Sequence, residues 1–513
     1  MKSESQKIAR NTLYNSAGKL WNIGVNLVII PYIIHRLGIE QYGLWALAIM
    51  VGVSFTMVDF GMFAGMSRFI AQSVGSGSAE RMSRVVVTGL LLYLIFISTV
   101  ALLLLFAVPF MVDSLFQVPV GLRETAFFVL RLSLLLFLLT GLSTILHSML
   151  HGIQRMDVAN GILVGVSIVQ AVATVIVLES GWGLTGLIGG QVVAAFLSLL
   201  ANGSGVVRLI PSVSWSIRFA DWELAREMVR FGWKLQVVSG SGFLTDHLNK
   251  VFVTAFAGLS GAGLFDVSIK ILTAVRLLPL LLFSALVPPV AEYQAKGMHE
   301  HLRQLYARGT KYTIGITFPV VVTALLATPS FVALVFGPEF DAVVLTVQVL
   351  AIAYAVNLLT GMGTSVGRGI GKPELEMQYA LLVGLGNIGL VQVFGSVYGY
   401  FGVIAGMAIS IVAGSIYYLW RFHTTFQGIV GGFQSTLGRN LIPASLPALF
   451  VLGITFGGRE LDLWRQEIAQ WWNLSLAIII VPIYILFMYR WYFDEYDRRF
   501  VASMLPFRIK ATT

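Results

Sequence analysis

The sequence predicts an all-α integral membrane protein of about 14 transmembrane helices: two pseudo-symmetric six-helix lobes followed by a C-terminal helix pair. Three observations lead there. Hydrophobic residues make up 57% of the chain and charged residues 12%, with a mean hydropathy of +0.82. A soluble domain carries about 25% charged residues. The apolar residues fall into stretches of about 20, the length that spans a bilayer. The chain also matches itself at a long offset, the pattern of a transporter built from repeats.

The candidate spans run over about 12–35, 42–66, 84–110, 123–148, 158–178, 183–206, 231–257, 262–290, 310–335, 342–366, 376–397, 401–420, 439–457 and 473–490. Residues 1–206 then form an N-lobe of helices 1–6, and 207–230 a cytoplasmic inter-lobe linker. Residues 231–421 form a C-lobe of helices 7–12, and 422–513 hold helices 13 and 14 with a cytoplasmic tail. Within the linker, Asp221-Trp222-Glu223-Leu224 reads as the start of a short surface helix. The opening residues Met1–Arg10 are polar and no short apolar stretch with a cleavage site follows, so no signal peptide is expected.

The repeat rests on named landmarks. An offset of about 220 residues aligns Gly38, Gly43 and Leu44 with Gly258, Gly263 and Leu264, and Ala71 and Gly77 with Ala291 and Gly297. It also aligns Pro109, Phe116 and Gly141 with Pro329, Phe336 and Gly361. At about 216, Gly183, Gly186 and Gly190 meet Gly399, Gly402 and Gly406.

Charge orients the chain. The net charge of +9 would point to nucleic acid in a soluble protein; in a membrane chain it is topology. With the N-terminus in the cytoplasm, 23 of the 34 Lys and Arg residues lie in cytoplasmic segments. Only 4 (Arg36, Arg123, Arg459 and Arg465) lie outside, and 7 fall within spans. Both termini are therefore expected in the cytoplasm. There is no cysteine, which excludes disulfides and thiolate chemistry.

Polar groups inside spans mark function, because charge in hydrocarbon is expensive. In the first span Asn11, Asn15, Lys19, Asn22 and Asn26 are spaced 4, 4, 3 and 4 apart. They occupy an arc of roughly 80° that extends about 22 Å. This stripe reads as the wall of a water-filled vestibule, and its alternative is asparagine bonding across a dry helix interface. The seventh span carries a milder stripe of Lys234, Ser241, Thr245 and Asn249. Asp246 with Lys250, and Asp266 with Lys270, have i,i+4 spacing, and Arg276 follows. These read either as two neutralised pairs that stabilise packing or as a charge network that loosens when an outer gate moves. Asp59 lies at a depth comparable to Lys19, which makes Lys19–Asp59 a candidate pair. Arg68 near the inner mouth and Arg131 near the outer end either face a lumen or are accommodated by snorkelling or pairing.

Several chemistries are not supported. Gly18-Lys19 lacks both the upstream glycine and the following Ser or Thr of a phosphate loop, and Gly371-Lys372 is followed by Pro373. His147 and His151 enclose Ser148-Met149-Leu150 without a glutamate, while His299 and His301 flank Glu300 on a cytoplasmic loop. No metal and no cofactor is assigned. The outer-loop acids, Glu40, Asp113, Glu339, Asp341 and Asp462 among them, form no run suggesting a site for glycosyl transfer, so an enzyme is not expected and a membrane glycosyltransferase is the weaker alternative.

The run Asn11-Thr-Leu-Tyr-Asn15-Ser, then Pro31, Arg36-Leu37-Gly38-Ile39-Glu40-Gln41-Tyr42-Gly43-Leu44, Val58-Asp59-Phe60-Gly61 and Ser67-Arg68-Phe69-Ile70-Ala71 carries a resemblance. It resembles the oligosaccharide flippase branch of the multidrug, oligosaccharidyl-lipid and polysaccharide exporter superfamily. The resemblance implies two lobes facing each other in a V. It also implies alternating-access movement of a polyprenyl-diphosphate-linked oligosaccharide to the outer leaflet of the cytoplasmic (inner) membrane, for surface polysaccharide assembly. Coupling to H+ or Na+, with Asp59 as carrier, and contacts with a polysaccharide polymerase or assembly proteins fit the same picture. The expected cavity residues are Asn15, Lys19, Asn22, Asn26, Asp59, Arg68, Lys234, Asn249, Lys250, Lys270 and Arg276. A cation-coupled multidrug exporter or a lipid II flippase shares the architecture. The intramembrane tally of seven cations against three acids (Asp59, Asp246 and Asp266) disfavours the drug exporter.

Overall fold

The computed structural model describes chiefly residues 23–53, 62–243, 247–284, 296–372 and 374–430, with shorter runs among 290–294 and 440–498. Among these residues the chain is helical, with no strand. The helices are α1 (Ile23–Leu37), α2 (Ile39–Gly52), α3 (Met62–Ser76), α4 (Ala79–Phe110), α5 (Arg123–Gly152), α6 (Met156–Glu179), α7 (Gly183–Leu209) and α8 (Trp222–Phe243). They continue as α9 (Asn249–Ser284), α10 (His299–Val335), α11 (Asp341–Leu358), α12 (Gly361–Gly369) and α13 (Glu374–Thr425).

Among the described residues, eight helical stretches are long and apolar enough to cross a membrane. Two of them join segments expected to be separate. At 52 residues α13 would measure about 78 Å if straight, far beyond a 30 Å hydrocarbon core. It bends at Gly399, with φ 57° and ψ −131°. Likewise α9 breaks at Gly258, with φ 69° and ψ −169°. These bends fall in the gaps expected between spans 11 and 12 and between spans 7 and 8. The expected helices at 439–457 and 473–490 lie mostly outside the described residues.

The sequence repeat reappears in the backbone. Positive φ occurs at Gly38 and Gly258 (80° and 69°), at Gly77 and Gly297 (65° and 67°), and at Gly183 and Gly399 (57° and 57°). Gln117 also takes positive φ, and its counterpart at the offset of 220 is Gly337. Such conformations cost an L-residue free energy, so their recurrence in register reflects shared local architecture.

Helix starts follow the capping rules. Ser78 Oγ accepts from Arg81 N at 3.2 Å to open α4. Asp221 Oδ1 accepts from Glu223 N at 2.9 Å and Leu224 N at 3.1 Å to open α8. The expected surface helix and the start of the seventh span are therefore one continuous element, because no Gly or Pro follows the cap until Gly232.

By contacts the chain divides into two compact units, one of residues 1–270 with 384–406, the other of 271–383 with 407–513. The first has a core of Met66, Phe69, Tyr93, Ile97, Phe137 and Met149. The second centres on Tyr306, Met362, Tyr418 and Phe422. In the second unit the fully buried Asp497 accepts from Lys311 Nζ and Tyr312 OH, each at 2.6 Å, which fastens the C-terminal segment to the start of α10. Burial pushes the Asp497 carboxyl up, but these two donors hold it below its ordinary value.

Inside the first unit, α2 crosses α9 at glycines. A methyl group on Gly43 would fall 1.9 Å from the Leu259 carbonyl oxygen, and one on Gly263 would fall 2.8 Å from the Ile39 carbonyl oxygen. Ile39 and Leu259, like Gly43 and Gly263, are related by the repeat offset. The contact is therefore reciprocal.

Candidate functional site: a polar cavity with one lysine in its wall

The first unit holds a half-open cavity of about 450 Å³ among α1, α2, α5, α6, α7 and α9. Its volume lies in the roughly 300–1,000 Å³ range of small-ligand sites. The apolar part of the wall comes from residues such as Leu136, Ile162 and Ala194. The polar part comes from Asn26, Thr140, Ser143, Thr144, His147, Ser167, Gln170, Gln191, Ser198 and Asn202. Lys270 is the only Lys or Arg of the wall, and no Asp or Glu lines it among the described residues.

The polar side chains are ordered by their own helices. Thr144 Oγ1 donates to Thr140 O at 2.8 Å, and Ser167 Oγ to Val164 O at 2.8 Å. Between α5 and α7, Ser143 and Ser198 hydroxyls are 2.8 Å apart, and Asn202 Nδ2 donates to Ser143 Oγ at 3.1 Å and Ser198 O at 3.0 Å. The buried Trp45 Nε1 makes no hydrogen bond among the described residues, and the His147 imidazole sits against the Asn202 side chain. At the Ser167 side, Trp21 Nε1 donates to Ser167 Oγ at 2.7 Å.

Lys270 belongs to a buried charge cluster. Asp266 takes Lys250 Nζ on Oδ1 at 2.5 Å and Lys270 Nζ on Oδ2 at 2.9 Å, and Tyr42 OH donates to Oδ2 at 2.6 Å. The Lys250 and Asp266 side chains are 11% and 8% exposed, whereas Lys270 is 29% exposed. One carboxylate thus serves two ammonium groups. The locked pair is Lys250–Asp266, and the surplus charge sits on Lys270 at the cavity. Lys270 Nζ also lies 5.2 Å from the Trp45 ring centroid, a cation–π distance.

The expected site residues separate. Asn26 and Lys270 line the cavity. Lys250 reaches Asp266, 16 residues along and past the Gly258 bend, and joins the expected Asp266–Lys270 pair in a three-charge cluster. Asp246 lies outside the described residues. Asn249 is fully buried and accepts from Asn387 Nδ2 at 2.8 Å across a helix interface, away from the cavity. Arg68 is exposed with its guanidinium 4.2 Å from the Phe231 ring centroid, and Arg131 is exposed 5.6 Å from that of Phe127. In the second unit Arg276 stacks on Tyr354 at 3.7 Å. Lys234 lies in α8, its side chain outside the described residues. Asn15, Lys19, Asn22 and Asp59 also lie outside them, and with them the Lys19–Asp59 pair. Sequence reasoning missed Gln191, Ser198 and Asn202. Their spacing of 7 and 4 on α7 is the helical-face signal that would have found them.

Comparison with known proteins gives one family and several relatives. The family model described as "Polysaccharide biosynthesis protein" matches residues 8–294. The Bacillus subtilis protein named "Uncharacterized membrane protein EpsK" is 20% identical over 84% of this chain and 88% of its own length. The Haloferax volcanii protein named "Probable low-salt glycan biosynthesis flippase Agl15" is 21% identical over 88% and 94%. Among solved structures, the lipid II flippase MurJ in an inward closed conformation superposes with a TM-score of 0.69 at 15% identity, covering 93% of this chain and 99% of that one. An inward-facing multidrug resistance MATE family transporter of the MOP superfamily gives 0.67 at 18%, covering 82% and 95%. At these identities the structures show a shared fold.

Proposed function

Because the chain belongs to the polysaccharide biosynthesis protein family, we propose that it is a flippase for a polyprenyl-diphosphate-linked oligosaccharide, moving the headgroup to the outer leaflet by alternating access. It acts as a transporter and not as an enzyme, in the cytoplasmic (inner) membrane with both termini in the cytoplasm. The relative named as a glycan biosynthesis flippase supports this reading. The observation that carries it is Lys270, set in the wall of a cavity that is otherwise uncharged among the described residues and held there by the carboxylate it shares with Lys250.

A diphosphate crossing hydrocarbon needs a fixed positive charge and donors to replace water. Lys270 supplies the charge, and the Ser, Thr, Asn and Gln side chains keep the wall wettable. The prenyl chain is apolar and stays in lipid. Coupling to H+ or Na+ and contacts with a polysaccharide polymerase or assembly proteins belong to the same reading. A cation-coupled exporter of amphipathic drugs would call for acids where this wall has a lysine. Lipid II carries the same diphosphate, so a panel of carriers separates that reading from ours.

The test is flipping of fluorescent polyprenyl-diphosphate glycans in proteoliposomes. Lys270→Met should slow transport about ten- to hundredfold, the worth of a hydrogen bond to a charged group, while Lys270→Arg retains most of it. Wild-type transport by Lys270→Met would overturn the proposal.

A further inference from the structure

We propose that the α7–α8 connection and the first turns of α8 form a binding surface for anionic phospholipid headgroups. Trp215, Ile217 and Trp222 sit in the membrane interface, and Arg218, Arg226 and Arg230 meet the lipid phosphates. The inference does not depend on which cargo the protein carries.

The connection is pinned, so its outward side chains are held out by the fold. Val213 is buried in the core of the first unit. Ser214 N donates to Ser83 Oγ at 2.9 Å and Asp221 N to Thr88 Oγ1 at 3.0 Å, both on α4. Between these anchors Trp215 and Ile217 are 46% and 70% exposed, and Trp222 just beyond them is 74% exposed. A tethered segment thus presents two indole rings and an isoleucine outward, an apolar surface that water disfavours. The boundary between lipid and water suits an indole, which is apolar in body and carries one N–H donor. The depth also fits. The first exposed large apolar residues of α4 are Leu94 and Ile95, and Leu94 lies about 9 Å beyond Thr88 at the helical rise. That distance is roughly the thickness of one headgroup layer.

The charges around these rings are sorted by face. On α8, Ala225 and Met228 are buried. Glu223 and Glu227 line a cleft with Arg81 and Arg84 of α4. Trp222, Arg226, Val229 and Arg230 are left exposed, within an arc of about 100°. The acids therefore lie on the α4 side, while Arg218, Arg226 and Arg230 enter no salt bridge among the described residues. A guanidinium forks onto phosphate oxygens, and its stem lies well along apolar surface. An anionic headgroup answers three such groups; a zwitterionic one opposes them with its own ammonium.

The test uses the purified full-length protein with phosphatidylglycerol and phosphatidylcholine. Native mass spectrometry from detergent should show phosphatidylglycerol retained in preference. Combining Arg218→Gln, Arg226→Gln and Arg230→Gln should lower that retention by about fivefold per arginine. Combining Arg303→Gln, Lys372→Gln and Arg421→Gln, at exposed cations of the second unit, should leave it unchanged. A second measurement keeps every charge. The chain has no cysteine, so a fluorophore on Ile217→Cys in phosphatidylglycerol vesicles reports the surroundings of that position. It should be quenched by a lipid with a nitroxide at its headgroup and little by aqueous acrylamide. Quenching by acrylamide alone would overturn the proposal and leave the surface to a soluble partner. Equal retention of the two lipids by wild type, or equal loss from both sets of substitutions, would overturn it as well.

Discussion

Asp266 is the centre of the buried charge cluster in the first unit. Three donors converge on it, two of them charged, and it is 5% exposed. Taking one partner from a buried pair leaves an uncompensated charge, whereas replacing both by apolar groups of similar size is often neutral. Asp266→Leu should therefore destabilise the protein by about 3–5 kcal/mol, since it strands Lys250. Adding Lys250→Met should recover most of that loss. Thermal unfolding in detergent reads both; additive losses in the double variant would show that the two side chains do not act as a pair. The Asp266–Lys270 half of this cluster was legible as i,i+4 spacing; the Lys250–Asp266 half was not, because spacing pointed Lys250 to Asp246. A helical wheel reports neighbours along one straight helix and says nothing of a chain that turns at Gly258 and brings Asp266 back to Lys250. The cavity wall was obscured for a related reason. Ser143, Ser198 and Asn202 are modest polar residues on strongly apolar helices, and only their assembly across α5 and α7 makes a site.

At the scale of elements the sequence was far more informative. Three of the glycine pairs that align at the repeat offsets, Gly38 with Gly258, Gly77 with Gly297 and Gly183 with Gly399, share a positive φ, because a helix junction of that geometry tolerates few other residues. Asp221 announced the start of α8 through its capping chemistry, though nothing nearby signalled that the helix would continue through the expected linker into the next span. The α2–α9 crossing depends on the absence of a side chain at Gly43. With a methyl 1.9 Å from backbone, Gly43→Ala cannot be absorbed by a rotamer change, and the helices must separate. The expected cost is about 1–3 kcal/mol, as for other overpacked sites. It should appear as a lower melting temperature together with looser cross-linking of cysteines introduced at positions 39 and 259. An unchanged cross-linking yield would refute the close crossing.

For the whole molecule the decisive quantity is charge moved across a field. Under the proposed function, an anionic headgroup travels outward through an inside-negative potential, which favours it by about 2.3 kcal/mol per charge per 100 mV. A potassium diffusion potential of that sign should accelerate flipping in proteoliposomes, and the opposite sign should slow it. Rates indifferent to potential would mean that the headgroup crosses with its charge fully cancelled. Imposing a proton or sodium gradient at zero potential then tests ion coupling separately.

The reciprocal meeting of Ile39 and Gly43 with Leu259 and Gly263 has an ancestral consequence. It is an isologous joint, the kind two identical subunits form about a local twofold axis. Before the two halves shared one polypeptide, a single half could have made this same joint with its own twin. Drift at any of the four positions is therefore answerable to its counterpart in the other half, so these residues should change together or not at all.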